Sequence, residues 1–322
     1  MKKTPSLVIN VNDICNFKCV YCPPYGENLC KGRSTCDIKA IYKVMDLMSN
    51  HGSKLLRLTG GEPLIDIAKT VDFLRYSKGR FQRTVLNTNG FYLKDCLDAL
   101  EEFKSFLTIK VSLDSLDAAE AKNISGVDGL DKVLVSIFEA KARGFMIEIN
   151  TVLTGQAVES IEKIVTFCHD NCFDLKILTR SSFYGHKSVE DYRESVFAII
   201  NWLQNNLVKQ ESQRLETGMG LAMLTYKNGS NKIFVVDHSL NGSITPQKLF
   251  FSTCSSQCFC YPCDCGVLSI TISTDGILTP CRGRKDMGDV IYSKTDAEIE
   301  NILSSALKYF ETCMAINVNE IN

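Results

Sequence analysis

The chain has 322 residues, with 36 lysines and arginines against 37 aspartates and glutamates, a net charge of −1, and 45% hydrophobic and 23% charged residues. That balance gives no footing for non-specific nucleic-acid binding through bulk charge, and with no 18-residue apolar run and no apolar-cored N-terminus neither a helical membrane span nor a signal peptide is expected. The length allows a barrel-sized domain plus a smaller one.

Fifteen cysteines stand out: three lie in one tight motif and six between Cys254 and Cys281. An odd count arranged this way speaks for thiolate ligation in a reducing, cytoplasmic setting rather than for a secreted disulfide framework.

Elements alternate along the chain. Leu7 to Val11 reads as a buried strand, followed directly by Cys15, Cys19 and Cys22 in C-x3-C-x2-C spacing. Three thiolates so spaced can hold three corners of a cubane [4Fe–4S] cluster and leave the fourth iron open. A structural zinc site is the alternative the residues allow, with Cys30 or Cys36 as fourth ligand. Cys36 to His51 has helical periodicity, Ser34 or Thr35 as cap and Gly52 as stop. A strand over Lys54 to Thr59 leads into Gly60-Gly61-Glu62-Pro63. Two glycines there permit close backbone approach to a ligand, and the carbonyls and carboxylate can accept hydrogen bonds from an ammonium group.

The scheme repeats with a helix over 66–78, a strand over 83–90, a helix over 93–106 and a strand over 107–114. A helix over 129–143, a strand over 145–153, a helix over 158–171, a strand over 174–178 and a helix near 191–208 complete six βα units. Right-handed crossovers would close them into a partial (β/α)6 TIM-type barrel with strand ends converging on one mouth. Residues 209–253 read as a connecting segment with a hairpin at 223–236. From 254 onward a small Cys-rich β-hairpin and helix domain is expected, with Leu268 to Ser273 as a strand, a turn at Thr274-Asp275-Gly276, and a helix over 296–310. The division is therefore 1–208, 209–253 and 254–322.

The triplet with an aromatic residue before its third cysteine, followed by GGEP at the next strand end, resembles the signature of the radical S-adenosylmethionine (radical SAM) superfamily. The strings DICNFKCVYC, LRLTGGEPL, NTNG, VSLDSLD, ISGVDGLDKVL and INTVLTG, in that order over about residues 6 to 180, resemble the MoaA-like GTP 3′,8-cyclase branch. The resemblance implies a [4Fe–4S] cluster on Cys15, Cys19 and Cys22, and SAM held through Gly60, Gly61, Glu62 and Pro63. It further implies that Thr88, Asn89, Ser112, Asp114 and Asn150 face SAM, with Tyr21 near its adenine. The implied chemistry is reductive cleavage of SAM to a 5′-deoxyadenosyl radical that removes a substrate hydrogen. A protein reductant such as flavodoxin or ferredoxin would supply the electron.

Two departures bear on substrate: Ile14 stands where that branch has an arginine, and Glu148 where it has a lysine. A triphosphate needs several cations, so a small molecule other than GTP is expected, such as a sugar, aminocyclitol or nucleoside. The short run before Cys15 leaves little room for an N-terminal leader-binding domain, but a peptide substrate and a non-catalytic iron–sulfur or zinc protein stay open. The C-x10-G-x4-C spacing from Cys265 through Gly276 to Cys281 resembles SPASM and twitch auxiliary-cluster modules. It implies an auxiliary [4Fe–4S] cluster, for which several ligand choices stay open: Cys265 and Cys281 fit the hairpin, Cys263 and Cys281 would also span it, Cys260 and Cys263 offer a CxxC pair, and Cys313 offers a late ligand. A structural zinc knot has similar ligand demands. Cys96, Cys168 and Cys172 sit on expected helices, as small core residues do.

Overall fold

In the computed structural model, described for residues 4–22, 36–179, 193–210, 223–236, 269–280 and 287–317, one sheet runs through the fold. Its centre is β1 (Ser6–Asn12), β2 (Leu55–Gly60), β3 (Arg83–Thr88), β4 (Leu107–Ser112), β5 (Met146–Leu153) and β6 (Asp174–Thr179). Neighbours in this run are all parallel. The helices between them are α1 (Ile38–Asn50), α2 (Ile67–Ser77), α3 (Leu93–Leu100), α4 (Ala118–Ser125) with α5 (Leu130–Ala142), and α6 (Val158–Asp170), and α7 (Arg193–Asn206) follows β6. The six expected βα units are all present.

The C-terminal half extends the sheet at both ends. Beyond β6 come β9 (Asn231–Val236), parallel to it, then β8 (Met223–Asn228) and β7 (Val208–Gln210), both antiparallel to their neighbours. On the other side β10 (Ser269–Ile272) pairs parallel with β1, and β11 (Ile277–Thr279) and β12 (Asp289–Val290) add antiparallel strands. The order is β12-β11-β10-β1-β2-β3-β4-β5-β6-β9-β8-β7, twelve strands in an open sheet among the described residues. This is a partial barrel of mixed α/β class, its sheet not closed.

Alternation along the strands sorts the two faces. Leu7, Ile9 and Val11 of β1, Leu56 and Leu58 of β2, Leu86 of β3 and Ile109 and Val111 of β4 join Ile41, Met45, Phe73, Leu97 and Ile137 of the helices in one core. Each such side chain, fully buried, contributes about 1.5–3 kcal/mol. The opposite face looks into the barrel and carries Arg57, Arg83, Lys110, Ser112, Glu148 and Asn150 on alternate positions. No described helix is long and apolar enough to cross a membrane.

Several local expectations are corrected. The cap of α1 is Asp37, whose carboxylate accepts from the Ala40 amide at 3.2 Å, placing the acceptor three residues ahead as an N-cap needs; Ser34 and Thr35 lie outside the described residues. The helix expected over 93–106 ends at Leu100 and tightens into a 3₁₀ turn, Glu101–Phe103, which buries Phe103. Helix α4 was not anticipated. Val208 belongs to β7 rather than to the preceding helix, and α8 (Asp296–Asn317) runs past Phe310, so Cys313 lies within it. Cys96 and Cys168 are buried on α3 and α6, but Cys172 is exposed in the turn after α6 with φ +54°.

Candidate functional site

The three cysteines sit on the loop that leaves the C-terminal end of β1, at the barrel mouth where parallel strands converge. Cys15 is exposed and Cys19 and Cys22 are half-buried. They lie near enough to perturb one another: the Cys19 thiol is pushed up to about 12 by burial first, then by Asp114, Cys22 and Cys15. Among the described residues no three ligand side chains converge at single-ion spacing. Three thiolates match the donor set of a cubane, which takes one on each of three separate irons.

The loop is anchored on both sides by backbone. Lys18 and Val20 amides donate to the carbonyls of Ser125 and Ile124 at 2.8 and 2.9 Å, using the orphan carbonyls at the end of α4. On the other side the Gly61 and Glu62 amides donate to the carbonyls of Asn12 and Ile14 at 2.8 and 2.7 Å. This is what the glycine pair is for in the fold: a Cβ on Gly60 would lie 2.3 Å from the Asn12 carbonyl, and one on Gly61 would lie 2.1 Å from that of Ile14. The close approach is to the cysteine loop itself.

Glu62 is 1% exposed. Its carboxylate accepts from the Leu64 amide at 3.0 Å, the Thr88 hydroxyl at 2.8 Å and the Asn89 amide at 2.7 Å. Burial raises its pKa, and these three donors oppose the rise. The Glu62 carbonyl in turn accepts from the Asn12 side chain at 2.9 Å. Pro63 is buried at the start of a 3₁₀ turn, Pro63–Asp66. The carboxylate thus clasps the end of β3 to the end of β2.

Thr88 is buried, its hydroxyl spent on Glu62 and on the Gly90 amide at 3.0 Å. The Asn89 side chain donates to Asn16 Oδ1 at 2.8 Å and reaches Cys15 Sγ at 3.8 Å. Tyr21 donates to Asp114 Oδ2 at 2.7 Å, and Asp114 Oδ1 accepts from the Val152 amide at 2.7 Å. Burial lifts the Asp114 carboxyl to about 6, against the pull of these two donors. Ser112 and Asn150 are register partners on β4 and β5, and the Asn150 carbonyl accepts from the Leu113 amide at 2.9 Å.

Thus Cys15, Asn89, Glu62 and Thr88 are joined by direct contacts, and Tyr21 and Asp114 form a second bonded pair beside Cys19. Cys260, Cys263, Cys265 and Cys281 lie outside the described residues. For Cys313 only its place on α8 is given. Sequence reasoning missed Asn12, Asn16 and the α4 carbonyls; an asparagine closing a buried strand was the available signal for the first.

Deeper in the barrel, Glu148 bonds Lys110 at 2.7 Å and also Arg83. Burial would raise the Glu148 pKa, but the two cations outweigh it and hold it low, while burial lowers that of Lys110.

The model of the radical SAM superfamily matches residues 9–168. The GTP 3′,8-cyclase of Clostridium perfringens (strain SM101 / Type A) is 26% identical over 282 residues, covering 85% of this chain and 79% of the cyclase. Among solved structures, Streptococcus suis SuiB bound to its precursor peptide SuiA has a TM-score of 0.63 at 19% identity, over 91% of this chain and 62% of SuiB. The chain thus spans less than two thirds of the length of SuiB. Native anSMEcpe with bound AdoMet and the Kp18Cys peptide has a TM-score of 0.61 at 16% identity, over 96% of this chain and 83% of that one. With the matched segment running from β1 through the cysteine loop to α6, this chain belongs to the radical SAM superfamily of enzymes, which use a [4Fe–4S] cluster and SAM.

Proposed function

We propose that this radical SAM enzyme removes hydrogen from a small polar molecule other than GTP. In this reading Cys15, Cys19 and Cys22 hold the cluster, and the shelf of Gly60, Gly61, Glu62 and Pro63 receives the methionine end of SAM. Tyr21, Ser112, Asp114 and Asn150 line the rest of the SAM face. Thr88 and Asn89 act by holding Glu62 and Asn16 in place. When bound, cluster and SAM together supply a 5′-deoxyadenosyl radical. The chain's own part is to orient SAM, hold the target carbon close and exclude water.

The observation that carries the substrate reading is Glu148. A triphosphate brings several negative charges, and the barrel interior answers with cations two of which, Lys110 and Arg83, are already engaged by an internal carboxylate. Recruiting them for phosphate would leave Glu148 buried beside like charge, an expensive arrangement. At the mouth, the residue before the first cysteine is Ile14, 61% exposed and uncharged.

The reading extends to the C-terminal cysteines. Antiparallel β10 and β11 turn the chain back between Cys265 and Cys281, which supports an auxiliary cluster on Cys260, Cys263, Cys265, Cys281 and Cys313 within a unit at 254–322. Residues 1–208 form the barrel and 209–253 the connection. A flavodoxin- or ferredoxin-type donor supplies electrons.

The test is deuterium transfer into 5′-deoxyadenosine after anaerobic reconstitution, with labelled cyclitols, sugars and nucleosides in separate reactions beside unlabelled GTP. Transfer from one of the small molecules, with GTP unconsumed, is the expected result. Formation of a cyclised GTP product would overturn the reading. SuiB and anSMEcpe were solved with peptides, so transfer from a labelled peptide alone would move the assignment to peptide modification.

A further inference from the structure

The seam between β10 and β1 carries polar atoms that the fold does not use. Leu7, Ile9 and Val11 of β1 and Ile270 and Ile272 of β10 pack into the core on the helix side. Alternation therefore turns Asn10, Ser269 and Thr271 to the other face, into the barrel. The strands are parallel, with Ser6 opposite Ser269 and Val8 opposite Thr271, so the three side chains share one wall. Asn10 is 4% exposed, Ser269 1% and Thr271 6%. Among the described residues, Asn10 Oδ1, Ser269 Oγ and Thr271 Oγ1 are all buried without a hydrogen-bond partner.

Buried polar side-chain atoms are nearly always paired, and three orphans on one wall need a reason. A hydrogen-bonding pair can be replaced by apolar groups at little cost in stability, so a fold with no use for these atoms gains nothing by keeping them. Their place supplies the reason. Asn10 lies five residues before Cys15 on the strand that ends in the cysteine loop, and past a register shift in that strand Asn12 bonds the Glu62 carbonyl. The wall runs along the paired strands from the level of Ser6 and Ser269 toward the cysteine loop. The chemistry is one amide acceptor and two hydroxyls, without charge. Such a set recognises hydroxyl groups, which both donate and accept.

We propose that the β1–β10 seam is the substrate subsite, in which Asn10 and Thr271 bind hydroxyl groups of an uncharged polyhydroxylated ring and Ser269 receives its deeper end. This rests on the small-molecule reading above and names its substrate class. The charged group of Lys110, Glu148 and Arg83 stands on β3, β4 and β5, on other strands of the same interior, and satisfies itself.

The test uses the full-length, cluster-reconstituted, SAM-loaded chain with myo-inositol, D-glucose and uridine as probes, read by saturation-transfer NMR and by thermal shift. At least one probe is expected to saturate the wild type, and to bind Thr271→Val and Asn10→Leu at least tenfold more weakly. Without a probe, Thr271→Val should melt at the wild-type temperature or above it, because the hydroxyl it loses has no partner. A lower melting temperature would mean that the fold already uses the hydroxyl, and would overturn the proposal. So would unchanged affinity in both variants, or failure of every probe to bind the wild type, the behaviour of a wall that holds ordered water only. Probe binding that is unaltered in the variants sinks this subsite alone, whereas GTP or peptide turnover in the deuterium assay sinks the small-molecule reading.

Discussion

Asp114 links the ionisation of the mouth to the stability of the fold. Its folded pKa of about 6 lies above the ordinary 3.8 because burial disfavours the charge more than the Val152 amide and the Tyr21 hydroxyl favour it. A carboxyl raised in this way binds its proton more tightly when folded. Its favourable contribution is complete below about pH 4 and is lost as pH rises through about 6. Asp114→Asn keeps an acceptor for Val152 and can donate to the Tyr21 oxygen. In chelator-treated protein, urea unfolding should therefore show the variant gaining on the wild type between pH 4.5 and 7.5, by about 2 kcal/mol at 1.36 kcal/mol per pKa unit. A variant–wild-type difference that stays flat across that range would contradict the assignment. Glu62 teaches a related lesson. The GGEP string was legible as a strand-end shelf, but not that its carboxylate would be shut in, because beside the local Leu64 amide its partners Thr88 and Asn89 arrive from another strand and from the turn after it.

At the scale of elements, the cysteine loop depends on a helix that periodicity did not reveal. Helix α4 is eight residues long with a mixed face and one buried residue, Ile124, so its apolar pattern is faint. Its ends are better marked: Asp117 caps the Glu120 amide at 2.8 Å, and Gly126 closes it at φ +73°. An aspartate followed three residues later by glutamate, then glycine after one short helix, was the readable signal. A Cβ on Gly126 would stand 3.2 Å from Lys18 Cβ and 3.3 Å from the Lys18 carbonyl, in a conformation β-branched residues avoid. Gly126→Val should cost about 1–3 kcal/mol through that strain and loosen the loop. Hydrogen exchange at the Lys18 and Val20 amides is expected to accelerate at least tenfold, and iron retained after reconstitution to fall. Unchanged exchange at both amides would show that α4 does not hold the loop. The boundary errors elsewhere have similar origins: the break at Leu100 and the short β7 are set by tertiary packing, which intrinsic propensity registers weakly.

For the whole molecule, the barrel was legible because β1 is buried along its length and the strands after it alternate apolar with polar residues between helical segments. The joining of β9 to β6 and of β10 to β1 was not, since each strand pairs with a partner far away in sequence and no local pattern announces it. That second pairing matters for function, for it brings a strand flanked by the C-terminal cysteines against the one that leads into Cys15. The central claim is that these thiols support radical SAM chemistry. The measurement that tests it most directly is chromatographic: 5′-deoxyadenosine formed by the anaerobically reconstituted full chain with SAM and a strong reductant, beside the Cys15→Ala/Cys19→Ala/Cys22→Ala variant. The account predicts the nucleoside from the wild type alone; equal amounts from both proteins, or none from a wild type that has taken up iron, would contradict it.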